Sequence, residues 1–316
     1  MRADTALRWF HPYVPECPVC GGSRPDARAP MLPLAHAEPR KALGRLCASC
    51  RGRIPWIVTV ACPVCGRPDP CGDCLRRRER SIRCNRSAVR YDETMKEWLA
   101  LYKYRGLERL EPVLAAMLSY PLEMLRAEIA AGPARDAPPR RDRAEAPAVM
   151  RANRPLAALA KGWAQGPAKL WHRISSPGRK GAVRGAPTFD LLTSVPLSDR
   201  RLEERGFNQA ERLALRLSQW YRIPYAPLLL RVRHTEKQSL QNRQGRLTNM
   251  KGMFDVVRNA GSLLPGAGQA GAACRIWLVD DIYTTGSTLN ECARVLREKL
   301  GPAFPLQIYG LTWARS

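Results

Sequence analysis

The stretch that decides the fold is Ile276-Trp-Leu-Val-Asp280-Asp281-Ile-Tyr-Thr284-Thr285-Gly286-Ser287-Thr288. It opens with consecutive apolar residues that show no alternation, which is typical of a strand covered on both faces in a parallel α/β sheet. An acidic pair, a loop around one glycine and a predicted helix at about 289–300 follow in that order. This order is typical of a ligand site at the carboxyl edge of a parallel sheet.

The loop after the acidic pair has the composition of a phosphate-binding loop. Its backbone N–H groups can converge on an anion where the next helix exposes its positive end. Asp280 and Asp281 cannot hold the anion because like charges repel, but carboxylates accept hydrogen bonds from hydroxyl groups and bind Mg²⁺. A phosphate beside vicinal hydroxyls indicates a ribose phosphate. The residues predicted to contact the phosphate are Thr284, Thr285, Gly286, Ser287 and Thr288. The alternative interpretation is a solvated turn with a capped helix.

The whole chain is strongly basic. Its 316 residues carry a formal net charge of +24 and suffice for an α/β core with one or two smaller units. Such a charge favours a polyanionic partner, either nucleic acid or an anionic membrane surface, although a genome that prefers arginine would produce the same excess. No apolar run approaches the roughly 20 residues of a membrane span. Residues 1–16 lack the apolar core of a signal peptide. We therefore expect a cytoplasmic protein.

Eight of the eleven cysteines fall into four Cys-x-x-Cys pairs within the first 80 residues. These pairs are Cys17/Cys20, Cys47/Cys50, Cys62/Cys65 and Cys71/Cys74. Two of them share the phrase Cys-Pro-Val-Cys-Gly, which is typical of zinc-ribbon knuckles. Two Cys₄ sites would use all eight thiolates and close both coordination shells, so we predict about two structural zinc ions. Redox-active pairs are the alternative.

The sequence leaves the grouping of the four pairs open. Sequential use gives a long first loop and a short second one, whereas interleaved use gives the spacing from Cys50 to Cys71 that is typical of ribbons. His36 is a possible substitute ligand, although a loop position is its simpler explanation. The scattered Cys84, Cys274 and Cys292 are predicted to be buried by packing.

Shifts in composition divide the chain into four regions. Residues 1–80 form the predicted double zinc ribbon, 81–130 the first part of the α/β domain, 131–187 an insertion, and 188–316 the α/β core. A helical pattern from about Glu93 to Tyr120 predicts one or two helices, broken near Gly106 or Pro112. Lys103 and Arg105 on this element face either a phosphate or solvent.

The predicted insertion at 131–187 is rich in Pro, Ala, Gly and Arg, and it has twelve basic residues against three acidic ones. Few of its segments can bury much surface, so we expect a disordered segment or linker. One stretch has apolar residues on one helical face and basic residues on the other. That pattern also fits a helix that lies on a membrane surface, on a partner protein or on nucleic-acid bases.

The region from 188 onwards is strongly patterned again. A core strand at Asp190–Pro196 is followed by a predicted loop at 198–209 and by a helix for which Asn208 and Glu211 have the form of a capping box. Further strands are predicted at 227–232, 254–257, 275–279 and 306–313, with a polar flap at 234–249. His234 in this flap either touches substrate or is solvated.

Three arginines of the predicted loop at 198–209 are hard to explain by structure alone. They are Arg200, Arg201 and Arg205. The planar fork of arginine makes two-point contacts with oxyanions, and a pyrophosphate needs several such donors. We therefore predict that they bind a pyrophosphate.

The acidic pair and its loop resemble the phosphoribosyl pyrophosphate (PRPP) loop of type I phosphoribosyltransferases. The layout of residues 17–120 and 189–316 resembles the competence protein F (ComF) family. The matching parts are the cysteine-rich segment, Arg205-Gly206-Phe207-Asn208-Gln209, the stretch from Gln238 through Arg246 and Asn249 to Phe254, and Val279–Thr288. The insertion departs from the compact family pattern. The resemblance implies a phosphoribosyltransferase-like parallel sheet flanked by helices and PRPP binding with Mg²⁺. It also implies a role in natural transformation, with single-stranded DNA and a competence helicase as partners.

Two functions fit these expectations. The first is a binding protein that uses the pocket to hold PRPP or a ribose phosphate and uses its basic surface to hold single-stranded DNA. The second is an active phosphoribosyltransferase in which Asp280 and Asp281 hold the ribose hydroxyls as catalytic residues while pyrophosphate departs. The sequence names no pocket for an acceptor base, which favours the first function.

Overall fold

The structure is a computed structural model that describes residues 16–22, 32–76, 80–104, 106–131, 188–232, 252–265 and 273–316. The chain divides into two compact units, one comprising Met1–Leu122 and Ala186–Ser316 and the other Glu123–Gly185. Of the second unit, the structure describes only residues 123–131. The predicted insertion, except for residue 131, lies outside the described residues, and so does the predicted flap at 234–249. Arg105 and His234 lie outside them as well.

The described residues form a mixed α/β structure. The helices are α1 (Ala37–Gly44), α2 (Ala48–Gly52), α3 (Gly72–Arg76), α4 (Glu93–Tyr104), α5 (Glu111–Ala130), α6 (Asp199–Arg205), α7 (Gln209–Tyr221) and α8 (Ser287–Leu300). The strands are β1 (Asn85–Arg90), β2 (Thr188–Ser194), β3 (Leu229–Arg231), β4 (Phe254–Val256), β5 (Ala273–Tyr283) and β6 (Leu306–Arg315). Short 3₁₀ turns lie at Glu108–Leu110 and Ala260–Leu263.

Four strands form one parallel sheet in the order β1-β6-β5-β2. Val279 of β5 is aligned with Ser194 of β2 and with Leu311 of β6. Because all four strands run the same way, their carboxyl ends meet at one edge, which is where ligands bind in open α/β sheets. The predicted fold class, a parallel sheet flanked by helices, is confirmed.

Two expectations about the strands need correction. The residues at 227–232 and 254–257 do not extend the main sheet, because β3 and β4 pair with each other as a separate antiparallel hairpin. The central strand β5 also extends beyond the predicted Val279. Its last residues continue to pair with β6, with Asp280 aligned with Thr312, so the acidic pair belongs to the strand itself.

The helical pattern after β1 is interrupted where the sequence suggested. Asp92 caps α4 by accepting a hydrogen bond from the Met95 N–H at 2.8 Å. Gly106 follows the end of this helix with a φ of 60°, a conformation that glycine adopts without a steric penalty. Pro112 lies in the first turn of α5, where its missing N–H costs nothing.

The first strand is joined to the cysteine-rich segment through Asn85. This side chain is fully buried, and its Nδ2 donates to the Cys65 carbonyl at 3.3 Å and to Thr312 Oγ1 at 3.2 Å. The backbone fits closely around it. A Cβ on Gly66 would lie 2.6 Å from the Asn85 carbonyl oxygen, and one on Gly310 would lie 2.6 Å from Asn85 Oδ1. Asn85 therefore holds β1, β6 and a cysteine knuckle in one fixed arrangement.

We expect Asn85→Ala to lower the free energy of unfolding by about 2 kcal/mol, because it removes the donor to the buried Cys65 carbonyl and one of the hydrogen bonds of Thr312. Urea titration followed by tryptophan fluorescence would measure the loss. The matched control is Asn259→Ala at an exposed position, which should change the free energy of unfolding by no more than about 0.5 kcal/mol. Equal effects of the two substitutions would contradict the role given to Asn85.

Candidate functional site

The eight paired cysteines form two groups of four. The first group is Cys17, Cys20, Cys47 and Cys50, and the second is Cys62, Cys65, Cys71 and Cys74. Within each group all four Sγ atoms lie within 4.8 Å of one another, so the pairs are used sequentially rather than interleaved. His36 belongs to neither group. It caps α1 by accepting a hydrogen bond from the Glu38 N–H at 3.4 Å.

The spacing of the sulfur atoms fits a tetrahedral metal. Cys20 and Cys47 have their Sγ atoms 3.7 Å apart, and those of Cys65 and Cys71 are 3.6 Å apart. A Zn–S distance of about 2.3 Å gives tetrahedral S–S edges of about 3.8 Å. Four thiolates at this distance repel one another unless a cation lies between them. Both tetrads can therefore hold a zinc ion.

The backbone of each knuckle is shaped around its sulfurs. Gly21 and Gly66, which follow the second cysteine of the repeated phrase, have φ values of 69° and 74°. The N–H of Gly22 donates to Cys20 Sγ at 3.4 Å. Burial disfavours the charged thiolate of Cys17, but hydrogen bonds from backbone N–H groups outweigh it and lower the pKa of this thiol to about 7.

The second tetrad shares a hydrophobic core with the main sheet. Cys62, Cys65 and Cys74 are buried in the same cluster as Leu191 of β2 and Leu278 of β5. Loss of the metal would therefore expose part of the core that supports the sheet. Two of the unpaired cysteines, Cys274 and Cys292, are buried as predicted, whereas Cys84 is partly exposed.

The acidic pair lies where β5 reaches the carboxyl edge of the sheet. Both side chains are partly buried. Burial, and after it the charge of Asp281, raise the pKa of Asp280 to about 8, although the Asp281 N–H donates to Asp280 Oδ1 at 2.8 Å. Asp280 is thus a carboxyl group that changes its protonation near neutral pH.

Asp281 forms an ion pair that the sequence did not predict. Its Oδ2 contacts Lys103 Nζ from the last turn of α4, and the exposed fractions of the two side chains are 20% and 10%. Lys103 therefore faces neither free phosphate nor open solvent, and it partly balances the charge of the pair. Tyr91 lies near the same carboxylate, since burial and then Asp281 raise the pKa of this tyrosine.

The loop after the acidic pair is open to solvent at most of its positions. Thr284 is exposed, and Thr285, Ser287 and Thr288 are partly exposed. Thr285 Oγ1 and Ser287 Oγ lie 2.9 Å apart at the beginning of α8, whose first turn has no acidic residue. The helix begins two residues earlier than predicted. This end of α8 can therefore accept an anion.

Gly286 is fixed by Tyr283. Gly286 has a φ of 73°, and a Cβ placed there would lie 2.0 Å from the Tyr283 hydroxyl oxygen. Tyr283 is buried, and Arg315 at the end of β6 holds it from the other side. The Arg315 Nη1 donates to the Tyr283 carbonyl at 3.0 Å, and its guanidinium carbon lies 4.8 Å from the centre of the tyrosine ring. Only glycine fits at this point of the loop.

The three predicted pyrophosphate arginines lie on a helix rather than in a loop. Arg200 is exposed and pairs with Glu204 at 2.9 Å on the surface of α6. Arg201 is exposed. Burial lowers the pKa of Arg231 on β3, and the charge of Arg201 lowers it further. Arg205 is directed to Tyr104, donating to its hydroxyl from Nη2 at 3.1 Å. Of these three arginines, only Arg201 therefore lies close to Arg231. The sequence predicted a strand for the segment of Arg231 and did not identify this residue as a pyrophosphate ligand.

Asn208 caps α7, as expected, because its Oδ1 accepts a hydrogen bond from the Ala210 N–H at 3.1 Å. Its Nδ2 also donates to the Val195 carbonyl at 3.0 Å and so ties the helix to the end of β2. Glu211 accepts a hydrogen bond from the Tyr225 hydroxyl at 3.3 Å. The second half of the predicted capping box is thus replaced by a tertiary contact.

We expect two zinc ions per chain by elemental analysis, and one after replacement of Cys62 and Cys65 by serine. Because that tetrad shares a core with Tyr283 and Phe254, the double variant should also lose near-ultraviolet circular dichroism from these aromatic side chains. Replacing Cys17 and Cys20 should remove one zinc ion with a smaller spectral change. Cys84→Ser is the matched control and should keep both ions. A zinc content near zero in the purified wild-type chain would refute the prediction.

The raised pKa of Asp280 predicts a pH-dependent stability. Between about pH 4, where an unfolded aspartate titrates, and about pH 8, the folded carboxyl retains a proton that the unfolded one releases. The contribution of this group to stability therefore falls as pH rises through that range. Asp280→Asn should raise the free energy of unfolding at pH 8 by about 2 kcal/mol or more, and by much less at pH 5. Urea titrations at both pH values would measure it, with exposed Asp69→Asn as control. A gain that does not depend on pH would refute the assignment.

No family model matches the chain. It is 28% identical to the competence protein ComFC of Bacillus subtilis over 265 residues, which is 81% of this chain and 79% of that protein. It is 36% identical to the competence protein F of Haemophilus influenzae over 126 residues, and 35% identical to the DNA utilization protein YhgH of Escherichia coli K12 over 108 residues. These two matches cover 51% and 43% of the relatives, so the chain spans about half of their lengths.

Among the helices that the structure describes, none is long and apolar enough to cross a membrane. The structure adds two cysteine tetrads and a parallel sheet to the sequence motifs that suggested a family. The matches to ComFC, competence protein F and YhgH agree with that suggestion. The resemblance that the sequence suggested is thereby confirmed.

Proposed function

We propose that the chain binds a ribose phosphate, in the first place PRPP with Mg²⁺, and that it also binds single-stranded DNA during DNA uptake. The names of its relatives, competence protein and DNA utilization protein, support a role in competence. A competence helicase is the protein partner that we propose for this role.

The observation that carries the proposal is the position of the acidic pair beside the open end of α8. Asp280 and Asp281 lie near the end of β5, the strand that leads into the loop at 284–288. Carboxylate oxygens accept hydrogen bonds from ribose hydroxyls. The first turn of α8 contains no acidic residue, so nothing there repels a phosphate from the positive end of the helix. One sugar phosphate satisfies both groups at once, with its phosphate on the helix and its hydroxyls on the carboxylates.

The pyrophosphate of PRPP needs cations near this edge. Arg201 and Arg231 are close enough for the charge of one to lower the pKa of the other, and an anion between them would remove that repulsion. Mg²⁺ binds one or two carboxylates together with substrate phosphates, and the acidic pair supplies such oxygens. When bound, Mg²⁺ would neutralise charge on the pyrophosphate. We keep Arg200 and Arg205 as weaker candidates, because both already have partners in the chain.

The proposed DNA binding depends on charge. The chain has 52 lysine and arginine residues against 28 acidic ones, far more than solubility requires. Cations on the surface release counterions from a nucleic-acid backbone, which gives strong and salt-sensitive binding.

Catalysis is a second candidate function, and Asp280 favours it. A carboxyl group with a pKa of about 8 is unusual and is suited to accept or donate a proton near neutral pH. If the chain is a phosphoribosyltransferase, an acceptor attacks C1 of PRPP, the bond to pyrophosphate breaks, and Asp280 in its carboxylate form takes the proton that the acceptor releases.

Titration calorimetry of the wild-type chain with PRPP and Mg²⁺ tests the sugar-phosphate site. We expect binding that Asp281→Asn weakens at least about tenfold, because a charged acceptor of hydrogen bonds is lost. Asp69→Asn in the cysteine-rich segment is the matched control and should bind as the wild type does. Absence of binding to the wild type, or equal binding by Asp281→Asn, would reject the proposal.

The DNA half of the proposal has its own measurement. Fluorescence anisotropy with a labelled single-stranded oligonucleotide should give an affinity that falls steeply with salt, with a slope of about 0.7 per neutralised phosphate on logarithmic axes. Repeating the calorimetry with the strand present measures the coupling between the two ligands. Binding that does not depend on salt would count against the electrostatic role.

A further inference from the structure

The last turn of α4 carries an aromatic side chain that the fold does not bury. Tyr104 is 67% exposed, which is more than any other large apolar side chain in the described part of the chain. Its neighbour Tyr102, two residues earlier, is 1% exposed and packs edge-on against Phe207 with ring centres 5.2 Å apart. An exposed tyrosine beside a buried one is not required by packing.

The exposed ring is held in place by an arginine. The Arg205 guanidinium carbon lies 5.2 Å from the centre of the Tyr104 ring, and its Nη2 donates to the Tyr104 hydroxyl at 3.1 Å. Arg205 is itself fixed, because its Nη1 donates to Oε1 of the buried Gln209 at 2.9 Å. The exposed ring and the guanidinium that lies over it form a cationic, partly exposed surface. We call this pair the Tyr104–Arg205 platform.

The helical turn that carries the platform is also anchored to the acidic pair. Lys103, the residue before Tyr104, contacts Asp281 through its ammonium group. Burial raises the pKa of Tyr91, and Asp281 and Tyr104 raise it further. Both side chains therefore lie within electrostatic range of Tyr91. The platform therefore stands at the edge of the site in which a ribose is proposed to bind.

From this placement we propose that the Tyr104–Arg205 platform is a stacking site for an unpaired nucleobase. The inference rests on the proposed sugar-phosphate site and names the group that is joined to the sugar. Every base has a flat π-face that stacks on tyrosine and on a guanidinium plane, and such contacts tolerate any base sequence. The positive charge of Arg205 also suits the phosphates on either side of a base. Lys103, Tyr102 and Gln209 hold the platform in place, so the two side chains lose little conformational entropy when a base binds.

The test compares two strands with the same backbone charge. One is a labelled oligothymidylate, and the other has the same length but carries abasic residues. We expect the wild type to prefer the strand with bases and Tyr104→Ala to bind that strand about 5- to 150-fold more weakly. Its affinity for the abasic strand should not change. Tyr104→Phe keeps the ring and should retain most of the preference. Leu215→Ala, at another exposed apolar position, is the matched control.

Each outcome decides the proposal. Tyr104→Ala that weakens both strands equally, or neither, would overturn the stacking site, and so would a wild type that shows no preference for bases. In those cases binding of PRPP and of the abasic strand would leave the proposed function intact. A wild type that binds PRPP but neither strand would overturn both the platform and the DNA half of the proposed function. Competition by thymidine monophosphate against ribose 5-phosphate then identifies the source of the base. If thymidine monophosphate competes more strongly than ribose 5-phosphate, the platform binds free nucleotides as well as strands. If the two compete equally, it binds strands alone.

Discussion

The structure around the ligand edge depends on the repulsion between two neighbouring carboxyl groups at the end of one strand. Asp280 and Asp281 are partly buried, and the pKa of Asp280 is raised to about 8 because neither water nor a full set of cations stabilises a second negative charge. Lys103 neutralises one of the two. Keeping the pair therefore costs stability in the free protein, and a ligand that supplies hydroxyl donors would relieve that cost. Such sites are typical of function rather than of stability.

The sequence revealed those parts of the site that lie close together along the chain. The strand, the acidic pair, the threonine-glycine loop and the knuckles are local patterns, and the structure has them in the predicted order, with β5 longer than predicted and α8 beginning earlier. The grouping of the cysteines was left open because spacing alone permits two arrangements. The ion pair of Lys103 with Asp281 was not predicted, because it joins segments far apart in sequence and nothing in the helical pattern of α4 identifies its partner.

Two other differences have the same physical origin. A strand pattern states that a segment is extended, but it does not state which strand is its neighbour. The segments at 229–231 and 254–256 are extended as expected, yet they pair with each other. Beside β2 lie residues 224–226 instead, through hydrogen bonds from the Leu192 N–H to the Pro224 carbonyl and from the Ala226 N–H to the Leu192 carbonyl. The arginines around 200–205 were expected in a loop, whereas charged residues at helical spacing form α6 and place Arg200 next to Glu204.

The order of strands in the sheet has a consequence for biosynthesis. Strand β6 lies between β1 and β5, although it follows both of them in the chain. On the ribosome, β1 has to wait until residues 306–315 have emerged before it can find its neighbour. Both thiolate clusters are synthesised long before that point and can capture their metal at once. A nascent chain therefore passes through a stage in which its ribbons are complete while β5 has an open, apolar flank, and that stage is when aggregation or a chaperone would compete with folding.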